Sequence, residues 1–176
     1  MIVGIIGAGT MGSGIAQAFA QVDGYEVRLC DINEEFAANG KLRITKTLEK
    51  RVAKGKMAKE DADRIIAKIK TGTKEICSDC DLIVEAAVEN VDIKRQTFRE
   101  LDKICKPECI FTTNTSSLSI TQIAAGLEHH VVGMHFFNPA PVMKLVEIIA
   151  GLNTPKEVAD RVVAIATEIG KTPVEV

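Results

Sequence analysis

The stretch Ile2-Val-Gly-Ile-Ile-Gly7-Ala-Gly9-Thr-Met-Gly12 constrains this chain more than any other. An apolar run from Ile2 to Ile6 ends on glycine, and an amphipathic stretch from about Met11 to Val22 starts within the same glycine pattern. That is a buried strand turning directly into a helix. In this setting the G-x-G-x-x-G spacing has a mechanical meaning. Gly7 permits the tight turn, Gly9 lets a pyrophosphate approach the backbone, and Gly12 lets the helix pack close to the strand. The helix start offers unpaired N–H groups and partial positive charge to an anion. Gly7, Ala8, Gly9, Thr10, Met11 and Gly12 are therefore the candidate dinucleotide loop.

A second strand, Tyr25 to Cys30, ends at Asp31, nineteen residues beyond Gly12. A carboxylate there accepts hydrogen bonds from the adenosine ribose diol. It also opposes a 2′-phosphate, so NAD is expected over NADP. Taken alone, Asp31 has a lesser alternative reading as a turn residue or a cap before Glu34 and Glu35. A flavin could use the same glycine fingerprint.

Further strand-like runs cover Leu82 to Ala87, Cys109 to Thr113, Val131 to His135, Lys144 to Ile149 and Thr172 to Val176, with helical patterns between them. The last of these helices spans Pro155 to Ile169, and Gly170 is placed as its cap. Strands alternating with helices predict an α/β, Rossmann-like, doubly wound and mostly parallel sheet over residues 1–176. One insertion follows the second strand. From Lys41 to Lys74 there is helical pattern and no strand, with a break at Lys54-Gly-Lys-Met57, so a helical hairpin arm is expected over about 41–70. The insertion holds twelve Lys and Arg against four Asp and Glu, leaving ten against twenty elsewhere. A charge run of this kind is usually a solvated helical face. Here a basic arm on an acidic domain also suits a phosphate-rich ligand.

Composition narrows the classes further. A chain of 176 residues, nearly half of them hydrophobic, buries enough surface to fold without a metal or disulfide staple. The formal net charge of -2 gives no reason to expect nucleic acid or an anionic membrane as partner. The start has no basic leader, and no run approaches the roughly 18 apolar residues of a membrane span, which points to the cytoplasm. Five cysteines, an odd number, suit reduced thiols. Cys77-x-x-Cys80 and Cys105-x-x-x-Cys109 could be written as zinc half-sites or a redox pair, but both precede strand-like runs, where packing or surface thiols is the better reading. No metal is expected.

Asn114-Thr-Ser-Ser-Leu-Ser119, Gly133-Met-His-Phe-Phe-Asn-Pro139 and Pro141-Val-Met-Lys-Leu-Val-Glu147 closely resemble the 3-hydroxyacyl-CoA dehydrogenase family, and the wording is most similar to the 3-hydroxybutyryl-CoA type of butyrate-forming bacteria. The resemblance runs from the glycine loop to the last residue. It implies NAD(H)-dependent interconversion of a short-chain 3-hydroxyacyl-CoA and its 3-keto form in fatty acid and butyrate metabolism. It further implies that His135 is the acid–base residue with Glu147 as its partner, and that Ser116 reaches substrate and nicotinamide. Asn138, Glu89 and Lys94 match cofactor contacts. The family's arm grips the phosphates of coenzyme A, so Lys54 is the best match, with Lys50 or Lys56 as alternatives. An all-helical domain forms the family's dimer and adds an Asn near the substrate; neither lies in these residues.

The chemistry supports these roles. Alcohol oxidation needs a base within reach of the hydroxyl, and a carboxylate on one imidazole nitrogen fixes the tautomer. Without the motif, a His beside two Phe residues is more often packing, and Glu147 an exposed strand residue. His129 and His130 read as surface residues. Two other functions remain open: a dehydrogenase of 3-hydroxy acids, and an NAD-binding structural or regulatory relative like the lens crystallins.

Overall fold

Short apolar runs alternate with amphipathic helices along the whole chain, and a computed structural model describes all of residues 1–176. The order is β1 (Ile2–Ile6), α1 (Thr10–Ala20), β2 (Glu26–Cys30), α2 (Glu34–Ala53), α3 (Lys59–Ala67), β3 (Ile69–Gly72), β4 (Leu82–Glu85), α4 (Val91–Ile104), β5 (Ile110–Thr113), α5 (Ile120–Ala124), β6 (Val131–Phe136), β7 (Leu145–Ala150), α6 (Lys156–Glu168) and β8 (Thr172–Glu175). They form one eight-stranded sheet in the order β3-β2-β1-β4-β5-β6-β7-β8. Pairing is parallel from β3 to β6, antiparallel between β6 and β7, and parallel between β7 and β8.

Because side chains alternate along a strand, the sheet has two cores. Val3 and Ile5 pack with Phe19, Ile44, Leu48, Val162 and Ile165 from α1, α2 and α6 on one face. Ile6, Ile83 and Phe111 pack with Phe98 and Leu101 of α4 and Ile123 of α5 on the other. All five cysteines are buried and free in this second core, so they are packing residues and not surface thiols. The chain reverses direction across the sheet between β1 and β4. At such a switch point the loops leave in opposite directions and open a crevice beyond the C-terminal ends of the strands.

The helical hairpin differs from expectation at both ends. α2 starts at Glu34 rather than near Lys41, because the Asn33 side chain accepts the Phe36 N–H and caps it, with Glu34 and Glu35 in the first turn. That assigns the cap to Asn33 and frees Asp31 from that role. Its buried stripe of Ala37, Gly40, Ile44 and Leu48 continues across the whole helix. At the other end, Ile69–Gly72 is a strand that extends the sheet beside β2, where no strand was expected. It is only four residues long, and Ile69 alone carries an apolar signal that reads as the tail of α3. The turn between the helices falls where the sequence places it, with Gly55 at φ +71°.

Candidate active site

The crevice at the switch point begins with the glycine loop. A Cβ on Gly12 would sit 1.6 Å from the Gly7 carbonyl oxygen, so the loop closes on α1 only with glycine there. Nothing lies within 4 Å of the Cβ position at Gly9, which leaves open space in front of the N-terminus of α1. This is the open, backbone-lined cradle that a dinucleotide pyrophosphate requires. Asp31 does more than the sequence assigns it. Its Oδ2 accepts the Ala8 N–H at 2.8 Å and its Oδ1 accepts the Ile32 N–H at 2.7 Å, so it braces the loop as well as facing the groove. That groove, about 640 Å³, runs from Asp31 and the exposed Ile32 to Met11, Ala86, Ala87 and Val88. Its size and apolar walls suit a nucleoside.

Met11, Ala86 and Ala87 also line a second cavity, which contains Glu89, Lys94, Asn114, Ser116, His135 and Asn138. The crevice is therefore continuous from Asp31 to His135. The antiparallel register places His135 opposite Glu147. Their side chains meet at 2.9 Å, Nδ1 to Oε1, and the Phe137 ring tilts against the imidazole at 4.5 Å. Glu147 consumes Nδ1, and Nε2 has no partner within the protein. The Asn114 Oδ1 accepts the Phe136 N–H at 2.7 Å and fixes the end of β6 beside the imidazole.

Lys94 and Glu89, which the resemblance matches to cofactor contacts, belong to one network of charges at the cavity. Lys94 is 2% exposed, and its ammonium donates to both oxygens of Glu85, which is fully buried at the end of β4. Glu85 also accepts from Thr113 Oγ1 and the Ala87 N–H. Lys94 lies 3.9 Å from Glu89, whose carboxylate in turn accepts the Ser116 N–H and hydroxyl and the Thr115 hydroxyl. Burial pushes the Glu89 carboxyl up, but the Thr115 and Ser116 hydrogen bonds and the Lys94 charge outweigh it and hold the pKa below the ordinary value. A chain of charges thus runs from β4 to Ser116. Sequence reading missed Glu85, although an acid closing the otherwise apolar run Leu82-Ile-Val-Glu85 was the available signal.

A third groove opens past Asn138, between α1, the Asn138–Pro141 turn and one face of α2. Arg43, Lys46 and Lys50 line it, together with Thr47, and no acidic residue does. Lys54 is the C-cap of α2, one turn further on, and lies outside this groove, as does Lys56. Much of the arm's remaining charge is committed locally: Lys59 to Asp63, Arg64 to Asp61, and Lys68 to the carbonyls of Ala20 and Val22 at the end of α1.

His129 is not a surface residue. It is buried, stacked on Phe111 at 4.3 Å, with Nδ1 against Asp102 and Nε2 against the Lys106 carbonyl. The polar wording around it concealed an inward-facing ring whose two nitrogens are both satisfied; His130 is exposed as expected. No group of His, Cys, Asp and Glu is arranged to hold a metal ion.

Fold and crevice together define a dinucleotide-binding α/β domain with a histidine–carboxylate pair at the end of its nucleotide cleft. The chain belongs to the 3-hydroxyacyl-CoA dehydrogenase family: the family's NAD binding domain model matches residues 2–176. NAD is the cofactor of this domain. A 3-hydroxybutyryl-CoA dehydrogenase of Clostridioides difficile is 44% identical over the whole chain, which covers 63% of that protein. A 3-hydroxyadipyl-CoA dehydrogenase of Escherichia coli is 42% identical over 98% of the chain and 37% of its own length. The crystal structure of a 3-hydroxybutyryl-CoA dehydrogenase from Escherichia coli K12 superposes with a TM-score of 0.95 at 41% identity, over 99% of this chain and 38% of that one. The chain thus spans between about two fifths and three fifths of the length of these relatives.

Proposed function

We propose that this chain is the NAD-binding and acid–base domain of a dehydrogenase that interconverts 3-hydroxybutyryl-CoA and acetoacetyl-CoA. The observation that carries the reading is the His135–Glu147 pair, set in the same cavity as Ser116 and Asn138 at the far end of the nucleotide crevice. With Nδ1 donating to Glu147, Nε2 presents its lone pair to the cavity and takes the proton of the substrate's 3-hydroxyl as the carbonyl forms. Glu147 stabilises the resulting imidazolium. Bound NAD supplies the acceptor for the hydride that leaves carbon 3. In the reducing direction the imidazolium returns the proton to the new alkoxide oxygen. Ser116, tethered to Glu89 through its backbone N–H, turns its one O–H from Glu89 to the substrate oxygen, and Asn138 orients groups at the junction with the third groove. The cationic face of α2 takes the phosphates of coenzyme A. Lys50 lines that groove and Lys54 does not, so Lys50 is the stronger contact of the two.

The reading extends beyond these residues. A helical domain that closes the cavity and forms a homodimer completes the protein, which works in fatty acid and butyrate metabolism in the cytoplasm. Residues 1–176 alone then bind NADH but turn over slowly, because electrostatic stabilisation requires a water-excluded site. The test is oxidation of NADH by the complete protein with acetoacetyl-CoA, beside a free 3-keto acid and a longer keto-CoA ending in a carboxylate. Preference for acetoacetyl-CoA is expected. Preference for the free acid would transfer the chain to the 3-hydroxy acid dehydrogenases, and no turnover with any of them would favour a binding or structural role.

A further inference from the structure

We propose that Arg43 is a cation shared by the nucleotide crevice and the cationic groove, and that it couples the binding of the two ligands. This rests on the proposal that the crevice takes NAD and the groove takes the phosphates of a CoA ester. The position of Arg43 is set by a close helix–loop contact. α2 presses on the glycine loop at Gly40, where an added Cβ would meet the Ala8 Cβ at 2.7 Å and the Ala8 oxygen at 2.9 Å. Three residues further on, the Arg43 guanidinium donates to Thr10 Oγ1 at 3.2 Å. Thr10 is the first residue of α1, and it lines both the nucleotide groove and the cationic groove.

The electrostatics at this point are unfavourable without a ligand. The N-terminus of an eleven-residue helix carries partial positive charge, and α1 has no acidic residue in its first turn. Arg43 adds a full positive charge there. It makes no ion pair, whereas Lys59, Arg64 and Lys74 each have a carboxylate partner. Arg43 spends one donor on a neutral hydroxyl, and Lys46 and Lys50 extend the positive stripe behind it. A guanidinium has five donors in a planar fork, so it can face one phosphate group on each side of Thr10. An anion in either cleft relieves the repulsion, and with both present the guanidinium screens each ligand from the other.

The consequence is a coupling between sites that is reciprocal by thermodynamic necessity. It is measured by titrating NADH into the complete protein with NADH fluorescence, with and without saturating coenzyme A, in wild type, Arg43→Met, Arg43→Lys and Lys50→Met. Arg43→Met should weaken NADH alone by about two- to fivefold, the size of one charged contact at an exposed site. Coenzyme A should then weaken NADH further in this variant but not in wild type. Arg43→Lys should recover most of the NADH affinity, because it keeps the charge, but only part of the coupling, because an ammonium lacks the planar fork. Lys50→Met should weaken coenzyme A and leave NADH unchanged. An unaltered NADH affinity in Arg43→Met, or the same coenzyme A effect as in wild type, would overturn the shared-cation proposal. If instead Lys50→Met and Arg43→Met both leave coenzyme A affinity unchanged, the groove is not the CoA site, and that result overturns the reading beneath the proposal.

Discussion

Replacing Lys94 with Met tests whether the buried charge chain holds the site together. The perturbation removes an ammonium that is 2% exposed and leaves Glu85, 0% exposed, with only Thr113 and the Ala87 N–H as donors. Breaking a buried pair on one side costs about 3–5 kcal/mol, since the remaining charge stays desolvated. For a domain of this size that lowers Tm by about 6–20 °C. The double variant Glu85→Gln/Lys94→Met removes both charges and should recover much of the deficit, so its loss falls short of the sum of the two single losses by more than the roughly 0.5 kcal/mol within which independent sites add. Calorimetric melting of the four members of the cycle, with NADH titration of each, measures both parts. If Lys94→Met melted within about 2 °C of wild type, a shift worth less than about 1 kcal/mol in a domain of this size, the pair would not be the anchor described here.

Asp31→Asn should narrow the preference for NADH over NADPH while keeping one oxygen for the Ala8 N–H, so affinity for the two cofactors measured by calorimetry should converge with little change in Tm. Lys50→Glu should raise the KM for acetoacetyl-CoA more than Lys54→Glu does, and the wild-type KM should rise with salt, as contacts at an exposed basic surface are screened over roughly 8 Å at physiological ionic strength. Burial pushes the Asp102 carboxyl up, but the Glu128 and His129 amides and the His129 ring outweigh it and hold its pKa below the ordinary value. The folded value lies below the unfolded one, so this stabilisation is present at neutral pH and is lost as the pH falls through the folded value. Asp102→Asn should therefore melt below wild type at pH 7, with the gap closing below about pH 4.

The elements that were legible in the sequence are those whose signal is local. The strand–glycine–helix unit at Ile2–Ala20, the turn at Gly55 and the cap at Gly170 each carry their own chemistry, and the structure places them as read. The parallel sheet followed from alternation alone. What failed depended on partners distant in sequence. β3 is a strand because β2 offers it an edge, not because Ile-Lys-Thr-Gly has strand character. The stacking of His129 on Phe111 and the Glu85–Lys94 pair needed three-dimensional proximity of α4, β4 and β5. Within the candidate site, His135 and Glu147 were legible through a resemblance in their motifs, and the hairpin register then brings them face to face. Arg43 had no local mark among twelve similar charges, because its distinction is the absence of a counter-ion at a helix N-terminus.

The central claim is that His135 moves the proton while the nucleotide crevice binds independently of it. Single-turnover and steady-state reduction of acetoacetyl-CoA by the complete protein, wild type against His135→Gln, with NADH affinity measured on the same samples, tests it most directly. The account predicts turnover lower by about 10²- to 10⁴-fold, the span of a positioned acid–base group, with NADH binding within about twofold of wild type. Wild-type turnover in folded His135→Gln would contradict it.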